Sequence, residues 1–388
     1  MRPLNQWQFG FVPRLAALYA AIFITGGITL PFFPVWLRAK GLDPGMIGVV
    51  LAAPMVVRVF AIHSAARLAD ARDVLRGTIV VASCVGVAGY VLLGLVNGAV
   101  AILIMYVLTA LVLTPVMPLS ETYALKGLAA RGRAYGPVRL WGSAAFILGT
   151  FIAGFATDTI PARYLIWLIV VGAALTACVA FMLEPMHTTA PPAQPAGPRP
   201  HLLRDPAFIA VVAASSLIQS SHAVYYGFSA LEWRGNGLDG TAIAALWGLG
   251  VIAEIVLFAL SGRLPMFFQP ITLLMIGAAG AALRWTAMAF NPPDIVLPFL
   301  QLLHALSFGT THLGALGFVS RHAPHGQSAT AQGYLSIAQG VVFAAVTGVS
   351  GWLYGAYGAR AYAAMALAAV AGGAAGYVAH RMNRVAVV

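Results

Sequence analysis

The sequence predicts an all-α integral membrane protein: twelve transmembrane helices arranged as two pseudo-symmetric six-helix bundles. Three observations carry this. Of 388 residues, 60% are hydrophobic and only 9% charged, whereas a soluble domain is about 45–50% apolar and about 25% charged. Apolar stretches of spanning length fill almost the whole chain. A proline-rich segment then divides those stretches into two equal sets.

A spanning helix needs about twenty mainly apolar residues, because about 30 Å of hydrocarbon is crossed at about 1.5 Å per residue. Twelve segments meet this, near residues 13 to 38, 45 to 66, 77 to 97, 99 to 125, 138 to 158, 162 to 184, 206 to 233, 240 to 262, 270 to 291, 293 to 320, 328 to 355 and 359 to 381. The first follows Arg2 and Arg14 but is too long for a signal-peptide core, so it is expected to be retained. Between the sixth and seventh, His187 to Arg204 contains Pro191, Pro192, Pro195, Pro198 and Pro200, which rules out a helix there. The expected division is an N-terminal bundle over 1–184, a cytoplasmic linker over 185–205 and a C-terminal bundle over 206–388. Ala66-Arg67-Leu68 after the second span is echoed by Gly262-Arg263-Leu264 after the eighth. Such an echo fits parallel repeats with a site between them near the midplane.

The 22 Lys and Arg residues test this threading. With the N-terminus inside, Arg38, Lys40, Arg163, Arg234 and Arg360 fall outside and Arg58 and Arg284 fall within spans. The other fifteen lie on the cytoplasmic side, the asymmetry that membrane insertion favours. Both termini are therefore expected in the cytoplasm. A net charge of +11 could also suggest nucleic acid, but the basic residues form no patch interleaved with aromatics. Cys84 and Cys178 lie inside apolar segments without metal-ligand spacing and read as small core hydrophobes. No Asn-x-Ser/Thr acceptor occurs, so nothing points to a glycosylated surface protein.

Ionisable groups within hydrocarbon cost about 2.5–3.5 kcal/mol each on insertion scales, which makes each a candidate for function. Arg58 and His63 lie in the second span, Glu121 in the fourth, His222 in the seventh, Glu254 in the eighth, Arg284 in the ninth, and His304 and His312 in the tenth; Arg139 opens the fifth. Antiparallel neighbours would bring Glu121 and Arg139 together, either to bind solute or as a structural ion pair. Gln301, His304, Phe308 and His312 follow one face of the tenth helix. Trp247 and Glu254 share a face of the eighth, with Glu254 about 21 Å from the start of that segment at about 1.5 Å per residue. Glu254 with either His304 or His312 is the candidate proton relay, since an acid in hydrocarbon and an imidazole are the groups suited to reversible protonation. His222, Tyr226, Ser229 and Trp233 form a face on the seventh helix with Tyr225 beside it. These aromatics are suited to clasping a ring or to packing the core. Arg58 or Arg284 could anchor a carboxylate through a bidentate fork.

Several strings carry a resemblance. They are Leu30-Pro31-Phe32 with Val35-Trp36-Leu37, Gly41-Leu42 and Ile47-Gly48; Tyr135-Gly136 with Val138-Arg139-Leu140-Trp141-Gly142-Ser143; and His222-Ala223 with Tyr225-Tyr226-Gly227-Phe228-Ser229-Ala230. Together they resemble the phenylpropionate permease family of the major facilitator superfamily, related in fold to lactose and nucleoside proton symporters. The likeness runs from the first span to about residue 320. The superfamily's Gly-x-Leu-Ala-Asp-Arg-x-Gly-Arg loop survives only as Ala66-Arg67-Leu68-Ala69-Asp70.

The resemblance implies a secondary active transporter in a bacterial inner membrane, taking up a small organic carboxylate, with aromatic acids among the candidates, together with protons and by alternating access. It also implies that an acid and an arginine on the fourth and fifth helices, here Glu121 and Arg139, recognise solute. The candidate solute-binding set is Arg58, Glu121, Arg139, His222, Tyr225, Tyr226, Trp247, Arg284 and Gln301. Glu254, His304 and His312 form the proton set. Expected partners are the solute, protons and lipid, with the chain a monomer and with no cofactor, metal or nucleic acid. Proton-driven export of a drug-like solute and sugar or nucleoside symport stay open. A membrane enzyme finds no convergent nucleophile and base, and a sensor finds no loop long enough for an output domain.

Overall fold

The structure is a computed structural model that describes residues 10–57, 75–185, 202–263, 268–324 and 327–385. Its elements are α1 (Phe11–Ala39), α2 (Pro44–Val57), α3 (Leu75–Leu95), α4 (Ala99–Ala129), α5 (Tyr135–Thr159), α6 (Ala162–Phe181), α7 (Pro206–Gly235), α8 (Gly240–Leu260), α9 (Pro270–Ala289), α10 (Asp294–His322), α11 (Ser328–Tyr357) and α12 (Ala361–Val385). Helix satisfies every backbone donor and acceptor within the segment, which hydrocarbon demands.

Ten stretches of the described residues are long and apolar enough to cross a membrane. The expectation of twelve differs from this for two reasons. One of the ten, Thr330–Met382, spans 53 residues and holds both α11 and α12. The chain turns between them at Gly358, whose φ of 55° suits glycine and ends α11. The other reason is α2, which reaches the edge of the described residues after Val57.

The described residues divide into two compact units. One draws on Met1–Leu42, Val56–Ala193 and Trp233–Ala244, the other on Asp43–Met55, Gln194–Glu232 and Ala245–Val388. In the first, α1 lies closely against α5. A Cβ on Gly27 would overlap the Phe146 carbonyl oxygen, and one on Gly149 the Ile24 carbonyl oxygen. Only glycine lets the two backbones approach so far, the small-residue packing typical of helices in lipid. At one end of this unit Glu184 pairs with Arg131 at 2.9 Å and Arg14 at 3.5 Å. The Tyr123 hydroxyl donates to the Glu184 carbonyl and Arg76 to that of Phe181, so α1, α3, α4 and the end of α6 are tied together.

The outward faces are apolar: Val171 and Leu175 on α6 and Leu92 and Leu95 on α3 are exposed, as lipid contact requires. Cys178 corrects an expectation. It is exposed rather than in the core, because it follows Val171 and Leu175 on the same outward stripe of α6.

Candidate functional site

The second unit carries a buried polar cluster built by α7, α8, α9 and α10. Its centre is Arg284, fully buried in the middle of α9. One guanidinium nitrogen, Nη1, donates to His304 Nδ1 at 3.0 Å and lies 3.5 Å from Ser307 Oγ. The other, Nη2, donates to the Gln301 side-chain oxygen. Tyr225 and Trp285 lie beneath the guanidinium, at 4.5 and 4.6 Å to their ring centroids, and Trp247 stacks on Tyr225 at 4.6 Å.

Local backbone breaks explain how short polar side chains reach this centre. α7 turns at Ser221–His222. The His222 ring there bonds the Gln219 carbonyl through Nδ1 at 3.1 Å and Ser307 Oγ through Nε2 at 3.1 Å. A carbonyl only accepts, so Nδ1 carries the His222 proton and Nε2 accepts from the serine. In α10, residues Ala305–Thr310 form a π-helical turn, a widening often found where a helix serves a site. It carries Ser307 toward both Arg284 and His222. Trp285 completes the wall, donating to Ser221 Oγ at 2.8 Å.

The same hydrogen-bond logic assigns His304. A guanidinium has no acceptor, so the Nδ1 that faces Arg284 must be bare and the ring proton sits on Nε2. That nitrogen lies 3.6 Å from Glu254 Oε2. Arg284, His304 and Glu254 thus form one line, with the proton-bearing edge of the imidazole toward the acid. Among the described residues no carboxylate lies within ion-pair distance of Arg284. Three donors of the cluster, Arg284 Nε, Gln301 Nε2 and Trp247 Nε1, are buried without an acceptor.

The model of the MFS_1 like family matches residues 12–364. The chain belongs to the MFS_1 like family. A probable 3-phenylpropionic acid transporter of Escherichia coli (strain K12) is 31% identical over 88% of this chain and 90% of that protein. The maltose permease of Geobacillus stearothermophilus is 26% identical over 81% and 80% respectively. Among solved structures, the nucleoside transporter NupG superposes with a TM-score of 0.80 at 17% identity, covering 96% of this chain and 99% of that one. A bacterial homologue of the human lysosomal transporter Spinster does so at 0.73 and 15%, covering 98% of each. Like other proteins of the MFS_1 like family, this chain is a multi-span membrane transporter for a small molecule, and its fold is that of the major facilitator superfamily.

Within this MFS_1 like transporter, His222, Tyr225, Trp247, Arg284, Gln301 and His304 are all buried in one cluster. Tyr226 joins it through ring contacts with His222 at 5.7 Å and Trp247 at 5.7 Å, and Glu254 meets it through His304. His312 stands one layer further off: Phe308 is stacked on His304 at 5.3 Å and on His312 at 6.2 Å. Glu121 and Arg139 belong to the other unit. There the Arg139 guanidinium lies 4.0 Å over the Phe23 ring and 6.0 Å over that of Tyr19, Tyr19 shares a hydrogen bond with Tyr135 at 3.4 Å, and Glu121 acts electrostatically on Tyr19. Arg58 and His63, the Ala66 to Asp70 loop and the proline-rich linker up to His201 lie outside the described residues.

Ser221, Trp285 and Ser307 were not singled out by sequence. A serine before His222 and a tryptophan after Arg284 were the available signals, but only the turn in α7 and the π-turn in α10 give them their direction.

Proposed function

We propose that this transporter takes up a small aromatic carboxylate together with protons, and that the solute's carboxylate is the counter-ion of Arg284. The observation that carries this is the buried guanidinium with only neutral partners. Burying an unpaired charge costs several kcal/mol, so retaining one in the centre of a span fits a residue whose anion arrives with the solute. The three donors without acceptors favour a ligand rich in acceptors, and the Tyr225, Trp247 and Trp285 rings favour an aromatic body. The similarity to a probable 3-phenylpropionic acid transporter supports the same class.

Coupling follows from the Arg284, His304 and Glu254 line. While Arg284 donates to His304 Nδ1, that nitrogen is closed to a proton. A carboxylate that draws the guanidinium toward itself frees Nδ1, and His304 can then hold a second proton with Glu254 as its counter-charge. Solute binding and proton binding thereby favour one another, as linkage requires.

Uptake of labelled 3-phenylpropionate into right-side-out membrane vesicles tests this. An acid-outside gradient should drive accumulation, and a protonophore should abolish it. Absence of uptake for every aromatic acid, or uptake indifferent to the protonophore, contradicts the reading.

A further inference from the structure

Glu232 lies outside the Arg284 cluster, near the end of α7 that meets the α7–α8 loop. Its side chain is 7% exposed, and its Oε2 is buried without a hydrogen-bond partner. No ion pair reaches it among the described residues. Two further buried hydroxyls, Ser229 Oγ and Tyr362 OH, are likewise without partners. Ser229 sits three residues before Glu232 on the same helical face, where side chains are neighbours. Tyr362 is close enough for the Glu232 charge to act on it.

These three oxygens connect to the cluster along two routes. Tyr225, Ser229 and Glu232 are spaced i, i+4 and i+7, a single stripe of α7 that places Glu232 about 10 Å beyond Tyr225 at about 1.5 Å per residue. Tyr362, at the start of α12, is stacked on Trp285 at 5.7 Å, and Trp285 lies beneath the Arg284 guanidinium. The titratable and charged groups around this layer are Tyr362 on α12, Tyr354 on α11, which is stacked on Phe228 at 4.6 Å, and Tyr225 and Arg284, which both act on Tyr362. Arg234, two residues along, is engaged elsewhere, by Asp158 and the Thr157 carbonyl.

Among the described residues no cation pairs with this carboxyl group to hold it as an anion. Its neighbours are hydroxyls, which can donate to a carboxylate or accept from a carboxylic acid. We propose that Glu232 is a second proton-binding site of this transporter, separate from Glu254 and His304. Loading forms an O–H bond between a Glu232 carboxylate oxygen and a proton taken from water. Release breaks that bond and returns the proton to water. The use of this proton in transport rests on the proton-coupled reading above; its binding does not.

Infrared difference spectra of the purified full-length protein between alkaline and acid buffer read the site directly. The wild type should show a carboxylic C=O stretch that Glu232→Gln removes and Glu254→Gln leaves in place. Tyr362→Phe, which keeps the ring and its stacking, should shift that band by removing a buried hydroxyl dipole on which the Glu232 charge acts. A spectrum unchanged by both Glu232→Gln and Tyr362→Phe overturns the proposal, as does a wild type with no such band. If uptake in the wild type is not proton-driven while the Glu232 band persists, the coupling reading fails and this site stands.

Discussion

Arg284 Nη1 lies 3.0 Å from His304 Nδ1, so the guanidinium decides which nitrogen of the histidine carries the proton. The imidazole edge left holding it faces Glu254. One donor-only group in the middle of α9 thus orients a titratable chain on α10 and α8.

Arg284→Lys should weaken binding of an aromatic acid roughly ten- to a hundredfold, the size of a lost charged hydrogen bond of about 1.5–3 kcal/mol. A planar fork is replaced by a point charge. Binding of the corresponding amide should change much less. Thermal-shift titrations with acid and amide measure both, and an equal loss for the two identifies a purely structural arginine.

The two histidines of α10 should separate. His304→Gln should abolish proton-driven accumulation, because it removes the ring whose Nδ1 meets Arg284 and whose Nε2 faces Glu254. His312→Gln should retain most of it, since Phe308 stands between His312 and His304. Vesicle uptake under an imposed gradient compares them, and the reverse order contradicts the assignment.

The helical framework was legible in the sequence because hydrocarbon thickness and backbone satisfaction set the length and composition of each span. The site was legible only in part. Arg284, His304, Glu254, Gln301 and Trp247 stood out as polar or bulky groups inside apolar helices. Which of them meet could not be read, since that depends on the turn at Ser221–His222 and the π-turn over Ala305–Thr310, where ideal 3.6-residue periodicity fails. Glu232 escaped notice because it sits beside Arg234 and the loop, where a carboxylate ordinarily reaches water. Its burial comes from packing that no local pattern announces.

Gly149→Ala should destabilise the first unit. The added methyl would overlap the Ile24 carbonyl oxygen, and overpacking of this kind costs about 1–3 kcal/mol. Thermal unfolding in detergent should show a lower Tm, whereas alanine at Gly136, where a Cβ meets nothing within 4 Å, should leave it unchanged.

Asp158 caps the start of α8, accepting from the Gly240 N–H at 2.7 Å and the Thr241 N–H at 3.1 Å and pairing with Arg234 at 3.6 Å. Asp158→Ala should cost about 0.5–2 kcal/mol, the usual worth of an N-cap. Asp158→Asn keeps one acceptor oxygen and should cost less. Equal stability of wild type and Asp158→Ala in chemical denaturation contradicts a capping role.

The central claim is that the His304–Glu254 pair holds the proton whose movement drives transport, and Glu254→Gln in reconstituted vesicles tests it most directly. Glutamine keeps the shape and much of the hydrogen bonding but carries no charge to hold a proton on His304. The account predicts that Glu254→Gln loses accumulation of 3-phenylpropionate against a gradient while counterflow exchange stays near the wild-type rate, because exchange of loaded carriers needs no proton release. Accumulation at the wild-type level would contradict it.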